Sequence, residues 1–321
     1  MTFKLFVEGP MHDHGRAMLQ ARSDITFSIH EKMPAEEMKA AFRDVDGLIW
    51  RLSPLTADMI GAAEKLKFVS RYGVGYDHID VAALTARGIP LAICGDALSA
   101  SVAEHTLLLM LGVSRQIAVM DRITRIRDYA TRYTSPGHEI QGKTVLLIGL
   151  GKIGLETAKR CTAMGMKVIA AGREASRAAA AQHDYAFVDD FHDALPDADF
   201  VSLHLPGQGD GHVLLGESEF AAMKPGAYVI NTARGSLIDE DALYHALTEG
   251  ALGGAGLDVL RNEPPHPDCP LLALDNILFT PHNAALTEET GQSVSEVCVR
   301  NMLDAIDGRL DASCVVNRDI L

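Results

Sequence analysis

The fold of this chain is decided by residues 144–154, which read Thr-Val-Leu-Leu-Ile-Gly-Leu-Gly-Lys-Ile-Gly. The apolar run at the start predicts a buried strand, and an amphipathic stretch over 155–164 predicts a helix after the three glycines. A second apolar strand, at 166–171, closes a unit of about 30 residues. The glycine spacing, G-x-G-x-x-G in this strand–turn–helix context, is typical of a dinucleotide-binding loop.

Each glycine of the loop has a separate task in such a site. Gly149 permits the tight turn, Gly151 lets a pyrophosphate approach the backbone, and Gly154 lets the helix pack closely on the strand. The first helical turn, which holds Lys152 and Ile153, would offer free N–H groups to the phosphates. Turn glycines without a ligand are the alternative, and the flanking strand and helix argue against it.

Strand-like and helix-like segments alternate on both sides of this unit. Short apolar runs recur through residues 1–98 and again after Lys143, and alternation of this kind predicts parallel sheets covered by helices. The last helical stretch, 288–307, is long enough to return to the first domain. We therefore predict two doubly wound α/β domains: a substrate domain formed by residues 1–99 and 289–321, and an inserted dinucleotide-binding domain, residues 100–288.

The junction between the two series has its own signals. Ser101 and Glu104 match the spacing of a capping box, which predicts a helix start just before the apolar run 106–113. A charged helix over 120–132 and a Ser-Pro-Gly linker at 135–137 are expected to follow.

Composition excludes several classes of protein. The chain has 321 residues and a net charge of −14, which argues against nucleic acid as the main partner. Its five cysteines form no C-x-x-C pair, so we expect neither a disulfide framework nor a metal site. No secretory signal is visible, and the longest apolar run, 106–113, is far shorter than the ~18 residues of a membrane span. We expect a soluble cytoplasmic protein without a membrane partner.

Three polar residues follow three later strands of the second series. They are Arg234, Glu263 and His282, after strand candidates at 228–232, 254–259 and 277–280. Because ligands bind outside the carboxyl ends of parallel strands, these side chains should converge on the edge that carries the glycine loop.

Their chemistry suits the reduction of a carbonyl group. Arg234 can pair bidentately with a carboxylate, and His282 can donate a proton to the carbonyl oxygen as hydride reaches the carbon. Glu263 would favour the imidazolium and hold the ring in one tautomer. Taken singly, each residue has an ordinary structural explanation. Together, beside a dinucleotide loop, they predict a catalytic site.

At these residues the sequence resembles a known family, the D-isomer-specific 2-hydroxyacid dehydrogenases, and in particular its glyoxylate and hydroxypyruvate reductase branch. The segments that carry the resemblance follow one another along almost the whole chain: 71–80, 101–104, 149–154, 231–243, 257–264 and 280–282. The resemblance implies a flavodoxin-like substrate domain, a Rossmann domain, a cleft between them and a homodimer built around residues 101–113.

The resemblance also implies roles for individual residues. Arg234, Glu263 and His282 correspond to the family's catalytic arginine, glutamate and histidine. The backbone N–H groups near Val74 and Gly75 would bind the substrate carboxylate together with Arg234 and His282. The remaining expected cofactor contacts are Pro206, Thr232, Ala233 and, at the nicotinamide carboxamide, Asp258.

The chain departs from the family pattern at three places. Gln208 stands where a threonine is frequent, and residues 283–285 read Asn-Ala-Ala in place of a glycine-rich step. The third departure is the missing acid after the second strand of the Rossmann unit. None of the three removes a catalytic group.

That missing acid bears on the choice of cofactor. An acid near position 172 would hold the ribose 2′-OH of NAD, but the chain has Gly172 followed by Arg173, with Ser176 and Arg177 shortly after. Arginine and serine suit the 2′-phosphate of NADP. Glu174 is the objection, because a longer strand would let it take the ribose, and a solvated helix face is the plain alternative. We expect NADP(H) to be preferred and NAD(H) to be possible.

Two other functions stay open at this point. A phosphoglycerate dehydrogenase is less expected, because the sequence ends at Leu321 without room for a regulatory domain. Some relatives of this fold are nucleotide-sensing corepressors that keep the three catalytic residues. Loss of NAD(P)H absorbance with glyoxylate or hydroxypyruvate would separate an enzyme from a sensor.

Overall fold

The computed structural model describes residues 2–31, 33–133, 136–207 and 213–321. The chain divides into two compact units. Unit 1 is residues 1–98 with 286–321, and unit 2 is residues 99–285. The domain roles predicted from the sequence stay predictions.

Unit 1 is built on a parallel sheet in the order β2-β1-β3-β4-β5. Its strands are β1 (Phe3–Glu8), β2 (Ile25–His30), β3 (Gly47–Trp50), β4 (Phe68–Arg71) and β5 (Leu91–Ala92). The helices between them are α1 (Asp13–Gln20), α2 (Ala35–Phe42), α3 (Ala57–Ala62) and α4 (Val81–Ala86). Strands β3 and β4 are buried along their whole length, as expected of strands covered by helices on both faces.

Aromatic packing anchors one face of this sheet. The ring of Phe42, on α2, meets Phe6 of β1 edge-on at 5.1 Å and Trp50 of β3 at 5.6 Å between centroids. Side-chain caps begin the shorter helices: Thr56 accepts from Met59 N at the start of α3.

Unit 2 is built on a longer parallel sheet in the order β12-β11-β10-β9-β6-β7-β8. Its helices are α5 (Ser99–Ser114), α6 (Ile117–Arg125), α7 (Lys152–Ala163), α8 (Glu174–Gln182), α9 (Glu217–Ala222) and α10 (Glu240–Thr248). Its strands are β6 (Thr144–Ile148), β7 (Lys167–Ala171), β8 (Ala186–Val188), β9 (Phe200–Leu203), β10 (Ala227–Asn231), β11 (Leu252–Leu257) and β12 (Ile277–Phe279). The strand order reverses between β6 and β9, so the crevice expected to take a ligand lies at their carboxyl ends.

The chain then returns to unit 1 through α11 (Glu288–Ile306). This helix buries Val294, Cys298, Val299 and Met302. Ser70 of β4 donates from its hydroxyl to Cys298 O at 2.8 Å, which ties the helix to the sheet.

The structure confirms the predicted fold class of two doubly wound parallel α/β domains. Among the described residues, no helix has both the length and the apolar character needed to cross a bilayer.

Two local predictions at the junction are wrong. Helix α5 begins at Ser99, and Ser101 does not cap it: the Ser101 hydroxyl donates to Ala284 O at 2.7 Å, while Glu104 pairs with Arg160. A backbone acceptor far along the chain thus replaces the local N–H donor of a capping box. The charged helix ends at Arg125 rather than 132, because Arg127 is left-handed at φ +61° and stops it. Ser135 of the predicted linker lies outside the described residues.

Candidate active site

The glycine loop joins β6 to α7 at the reversal of strand order. Gly149 has φ +101°, and a Cβ there would stand 2.5 Å from His204 O. A Cβ on Gly154 would stand 2.2 Å from Gly149 O, so the helix can pack this closely only on glycine. An added Cβ at Gly151 would meet no atom within 4 Å, and Gly151, the N-cap residue, has no side chain to cap the helix that begins at Lys152. The loop therefore places a helix N-terminus beside open space, as a pyrophosphate requires.

The position after β7 where an acid was expected is crowded in this structure. Strand β7 ends at Ala171, and Gly172 follows with φ +154°. A Cβ at 172 would stand 2.7 Å from the hydroxyl oxygen of Ser176, which is buried. That hydroxyl accepts from Leu150 N at 3.2 Å and so braces the glycine loop. Ser176 thus occupies the space that an acidic side chain at 172 would need.

The charged residues that follow β7 differ in their contacts. The Arg177 guanidinium contacts Asp189 and lies 4.6 Å from the centre of the Phe187 ring. Glu174 is in the first turn of α8, where its carboxylate lies 3.7 Å from Arg177 Nε. Arg173 is exposed and, in the part of the chain that the structure describes, forms no ion pair.

A buried asparagine shapes the turn that presents Arg234. Asn231 Nδ2 donates to Arg234 O at 2.8 Å, and Asn231 Oδ1 accepts from Ala233 N at 2.9 Å. Arg234 itself donates from Nη1 to Ala233 O at 2.7 Å. The side chain of Asn231 is fully buried at the end of β10, so the position of Arg234 is set by the strand below it.

Gly235 brings the Arg234 turn against the loop that carries Glu263. A Cβ on Gly235 would stand 2.0 Å from Leu260 C and 2.4 Å from Arg261 N. The loops after β10 and β11 therefore pack backbone against backbone, which only glycine allows here.

Glu263 and His282 form a direct pair. His282 Nδ1 donates to Glu263 Oε2 at 2.6 Å, while Glu263 Oε1 accepts from Leu260 N at 3.2 Å. Because the carboxylate can only accept, Nδ1 carries a proton, and Nε2 is the nitrogen that can serve a substrate. The side chains are 50% and 38% exposed, respectively, so a ligand can reach the pair.

Asp258 holds the turn at residues 280–284, which contains His282. It is buried directly after β11, and its carboxylate accepts from Thr280 Oγ1 at 2.6 Å, Asn283 N at 2.9 Å and Ala284 N at 3.0 Å. Its carbonyl oxygen accepts from His282 N at 2.8 Å. The structure thus shows a task for Asp258 within the chain, which the sequence did not indicate. Its expected contact with a nicotinamide carboxamide stays a prediction.

The other expected cofactor contacts lie on neighbouring loops of unit 2. Pro206 is exposed after β9, and Ala233 is buried in the turn after β10. Thr232 Oγ1 lies 2.9 Å from Thr106 Oγ1 of α5. Gln208 lies outside the described residues.

His204 closes the loop after β9. Burial lowers the pKa of His204 to about 4, so its ring is neutral at physiological pH. Its Nε2 lies 3.0 Å from Ser202 Oγ.

The expected substrate-carboxylate donors belong to unit 1. Hydrogen bonds hold the loop that contains Val74 and Gly75. Arg71 donates from Nε to Gly75 O at 2.5 Å, and Gly73 O accepts from Cys94 N at 2.8 Å. Within the described residues, the backbone N–H groups of Val74 and Gly75 have no acceptor. They are therefore available to an anion.

No metal is implied by the arrangement of side chains. Over the described ranges, no three His, Cys, Asp or Glu residues are grouped closely enough to hold a metal ion.

Comparison with known families is decisive for the identity of this site. The family model described as "D-isomer specific 2-hydroxyacid dehydrogenase, NAD binding domain" matches residues 107–284, more than half of the chain. The chain belongs to the D-isomer-specific 2-hydroxyacid dehydrogenases. The family expected from the sequence, and its class of NAD(P)-dependent oxidoreductases, are confirmed.

Individual dehydrogenases of this family are similar along the whole chain. A glyoxylate reductase of Thermofilum pendens is 35% identical over 99% of this chain and 95% of its own length. A D-3-phosphoglycerate dehydrogenase of Methanocaldococcus jannaschii is 38% identical over 98% of this chain, which spans only 59% of that relative. The structure of an NADPH-dependent glyoxylate/hydroxypyruvate reductase from Sinorhizobium meliloti, in complex with NADP and malonate, has a TM-score of 0.83 and 28% identity. That match covers 95% of this chain and 93% of the other.

Sequence reasoning overlooked three features of the dehydrogenase site. They are the Ser176 hydroxyl beneath Gly172, the contact of Gly235 with Leu260, and the anchoring of the His282 turn by Asp258. The available signals were Gly172, directly after a strand, and Gly235, directly after a candidate catalytic residue. Glycines at such positions mark a close approach of other atoms to the backbone.

Proposed function

We propose that this dehydrogenase reduces a short 2-oxo acid, such as glyoxylate or hydroxypyruvate, to the D-2-hydroxy acid, with NADPH as the preferred reductant. The observation that carries the proposal is the 2.6 Å bond between His282 Nδ1 and Glu263 Oε2 on the edge that also carries the glycine loop. The glyoxylate reductase of Thermofilum pendens, similar along almost all of both chains, supports the choice of substrate.

The proposed reaction assigns one task to each side chain. When bound, the reduced nicotinamide supplies the hydride. Arg234 pairs with the substrate carboxylate, with the N–H groups of Val74 and Gly75 as further donors. His282 donates the Nε2 proton to the carbonyl oxygen, and Glu263 orients the ring by accepting from Nδ1. In the reverse direction the same nitrogen accepts the proton.

The glycine loop fits the pyrophosphate of a dinucleotide. Gly149 and Gly154 let the loop pack against neighbouring backbone, Gly151 borders open space, and the start of α7 at Lys152 and Ile153 presents backbone N–H groups at a helix N-terminus. The residues proposed to line the rest of the cofactor are Arg173, Ser176, Pro206, Thr232, Ala233 and Asp258.

A screen of 2-oxo acids tests the reaction. Purified protein is mixed with NADPH or NADH and with glyoxylate, hydroxypyruvate and larger 2-oxo acids, and the absorbance of the reduced nicotinamide is followed. We expect turnover with the short acids. A protein that binds NADPH but turns over none of these acids would contradict the proposal and favour a nucleotide sensor.

A phosphoglycerate dehydrogenase is the second candidate. The 38% identity with the Methanocaldococcus jannaschii enzyme favours it. Oxidation of D-3-phosphoglycerate with NAD or NADP belongs in the same screen. A kcat/KM for that substrate above the values for glyoxylate and hydroxypyruvate would replace the first proposal.

The preference for NADPH is supported by the segment after β7. A Cβ at Gly172 would crowd the Ser176 hydroxyl, Glu174 is in the first turn of α8, and Arg173 is exposed at the cap of that helix. An unpaired arginine can meet the additional phosphate of NADP, whereas nothing at Gly172 would repel it. Arg177 is engaged by Asp189 and is expected to contribute less.

The substitution Arg173→Ala tests this preference. Because a charge-assisted contact is lost, we expect the Kd of NADPH to rise about tenfold or more, with less than a threefold change for NADH. Lys167→Ala, at the start of β7 and therefore at the sheet edge away from Arg173, is the control and should alter neither. Isothermal titration gives the affinities independently of turnover. A clear NADH preference in the unsubstituted protein would contradict this interpretation.

We also propose a homodimer built around residues 101–113 of unit 2, with the contact extending along the chain to residue 133. Large apolar side chains are exposed along this segment: Leu108, Ile117, Ile126, Tyr129 and Tyr133. Exposed apolar side chains clustered in one segment are typical of a protein–protein contact. Light scattering should give twice the chain mass, and Ile126→Glu should give monomers, whereas Leu272→Glu, at an exposed leucine elsewhere in unit 2, should not. A monomeric unsubstituted protein would contradict the proposal.

A cytoplasmic location is proposed as well. All five cysteines are free thiols, which suits a reducing compartment. Cell fractionation tests the location, and detection of the protein mainly outside the cytoplasmic fraction would contradict the proposal.

A further inference from the structure

The turn that carries His282 has an unusual backbone. His282 has φ +51°, in the left-handed region that glycine adopts without cost and other residues rarely enter. Such a conformation persists only where surrounding contacts determine it. The position of the imidazole therefore depends on what holds this turn.

Three of the backbone N–H groups in this turn donate to one buried aspartate. Asp258 O accepts from His282 N, and the Asp258 carboxylate accepts from the N–H groups of Asn283 and Ala284. The Asp258 side chain is only 1% exposed, so its orientation is set by partners within the protein rather than by water.

One of these partners connects Asp258 to helix α5. His105 Nε2 lies 2.8 Å from Thr280 Oγ1, and Thr280 Oγ1 lies 2.6 Å from Asp258 Oδ1. The carboxylate can only accept, so the Thr280 hydroxyl donates its single proton to Asp258. The Thr280 oxygen must then accept from His105, and Nε2 of His105 carries a proton. His105 Nε2 is also 3.5 Å from Asp258 Oδ1, which favours the donor form further.

Helix α5 holds the far side of the turn at a second point. Ser101, one helical turn before His105, donates to Ala284 O at 2.7 Å. The two side chains lie on the same face of the helix, since they are four residues apart. Both ends of the turn are thus attached to this face.

We propose that His105 is a positioning residue for His282. It donates to Thr280, fixes the Asp258 carboxylate, and through it maintains the left-handed turn that presents the imidazole. Its effect on turnover rests on the proposed function, whereas its effect on the turn does not. A histidine that only fills space in α5 would affect stability without a specific effect on residues 280–284.

Hydrogen exchange measured by mass spectrometry tests the effect on the turn in the full chain. His105→Leu removes the donor, and His105→Gln retains an N–H at a similar reach. We expect the amides of Asn283 and Ala284 to exchange about tenfold faster in His105→Leu, the effect of losing one buried hydrogen bond, and near the original rate in His105→Gln. Glu104→Gln, at the adjacent 68%-exposed residue, is the control and should leave them unchanged.

Turnover with glyoxylate and NADPH provides the second measurement. In His105→Leu we expect kcat to fall about tenfold, and His105→Gln should restore most of kcat. Thr280→Val removes the hydroxyl that joins His105 to Asp258. It replaces His105→Leu as the test if that variant does not fold. Because both act through one contact, the double substitution should cost little more than either alone.

Several results would overturn the inference. Unchanged exchange of 280–284 in both His105→Leu and Thr280→Val would show that the turn does not depend on this connection. Equal losses of kcat in His105→Leu and His105→Gln, or additive losses with Thr280→Val, would show a merely structural role. If the unsubstituted protein reduces no 2-oxo acid, the proposed function fails, and hydrogen exchange alone then decides the role of His105.

Discussion

Substitution of Gly235 by alanine tests how the active site is assembled. Gly235 follows Arg234 and packs against the backbone of the loop that carries Glu263. Its φ is not in the positive range, so alanine can adopt the backbone conformation without strain. Any effect of Gly235→Ala therefore comes from the contact between the two loops.

The size of the effect follows from the geometry. The new Cβ would stand 2.0 Å from Leu260 C, whereas ordinary contact begins near 3.4 Å, so the loop must recede by about 1.4 Å. Glu263 is three residues further along and bonded to His282 at 2.6 Å. A displacement of this size takes the pair beyond hydrogen-bond distance, and a misplacement of about 1 Å can cost about 10²-fold in rate. Overpacking should also destabilise the protein by about 1–3 kcal/mol.

Steady-state kinetics and thermal unfolding measure the two effects separately. We expect kcat for glyoxylate to fall about 10²-fold and the Tm to fall by a few degrees. Gly61→Ala in α3 is the matched control, because its Cβ would meet no atom within 4 Å. That control should leave kcat unchanged and should keep or raise the Tm.

A particular result would refute this reasoning. If Gly235→Ala lowers the Tm but leaves kcat within twofold of the original, the loop gives way without moving Glu263. The contact would then serve only stability.

The remaining predictions concern single side chains of unit 2. His282→Gln removes the proposed proton donor, so kcat should fall by about 10²-fold or more while the NADPH affinity by titration barely changes; near-full kcat would exclude His282 as the donor. Arg234→Lys should lower kcat/KM for glyoxylate by about 10-fold or more, because an ammonium group cannot reproduce the planar fork; an unchanged value would leave Arg234 with a structural role. Burial holds the pKa of His204 near 4, so the unfolded chain binds a proton there below pH ~6.5 and the native chain does not. The stability contributed by the buried, neutral His204 ring is therefore fully present above pH ~6.5 and is lost as the pH falls towards 4. His204→Gln should therefore flatten the loss of unfolding free energy, by up to about 1.4 kcal/mol per pH unit, in denaturant titrations; equal slopes for both proteins would contradict this.

The sequence alone determined the βα units and the residues that follow their strands. Apolar runs, helical spacing and glycines act over a few neighbouring residues, so the strand before Gly149 and the helix after it can be predicted without tertiary contacts. The same holds for the order of Arg234, Glu263 and His282 along the chain. Since all three follow parallel strands of one sheet, their common edge was predictable too.

Only the tertiary structure decided which groups hold these residues in place. The hydroxyl of Ser101 was expected to cap α5 locally but donates to Ala284 O, 183 residues away. Likewise, His105 meets Thr280 across 175 residues of chain. Propensity and spacing carry no information about such partners, because the contacts exist only once the sheet has brought its distant loops together against α5.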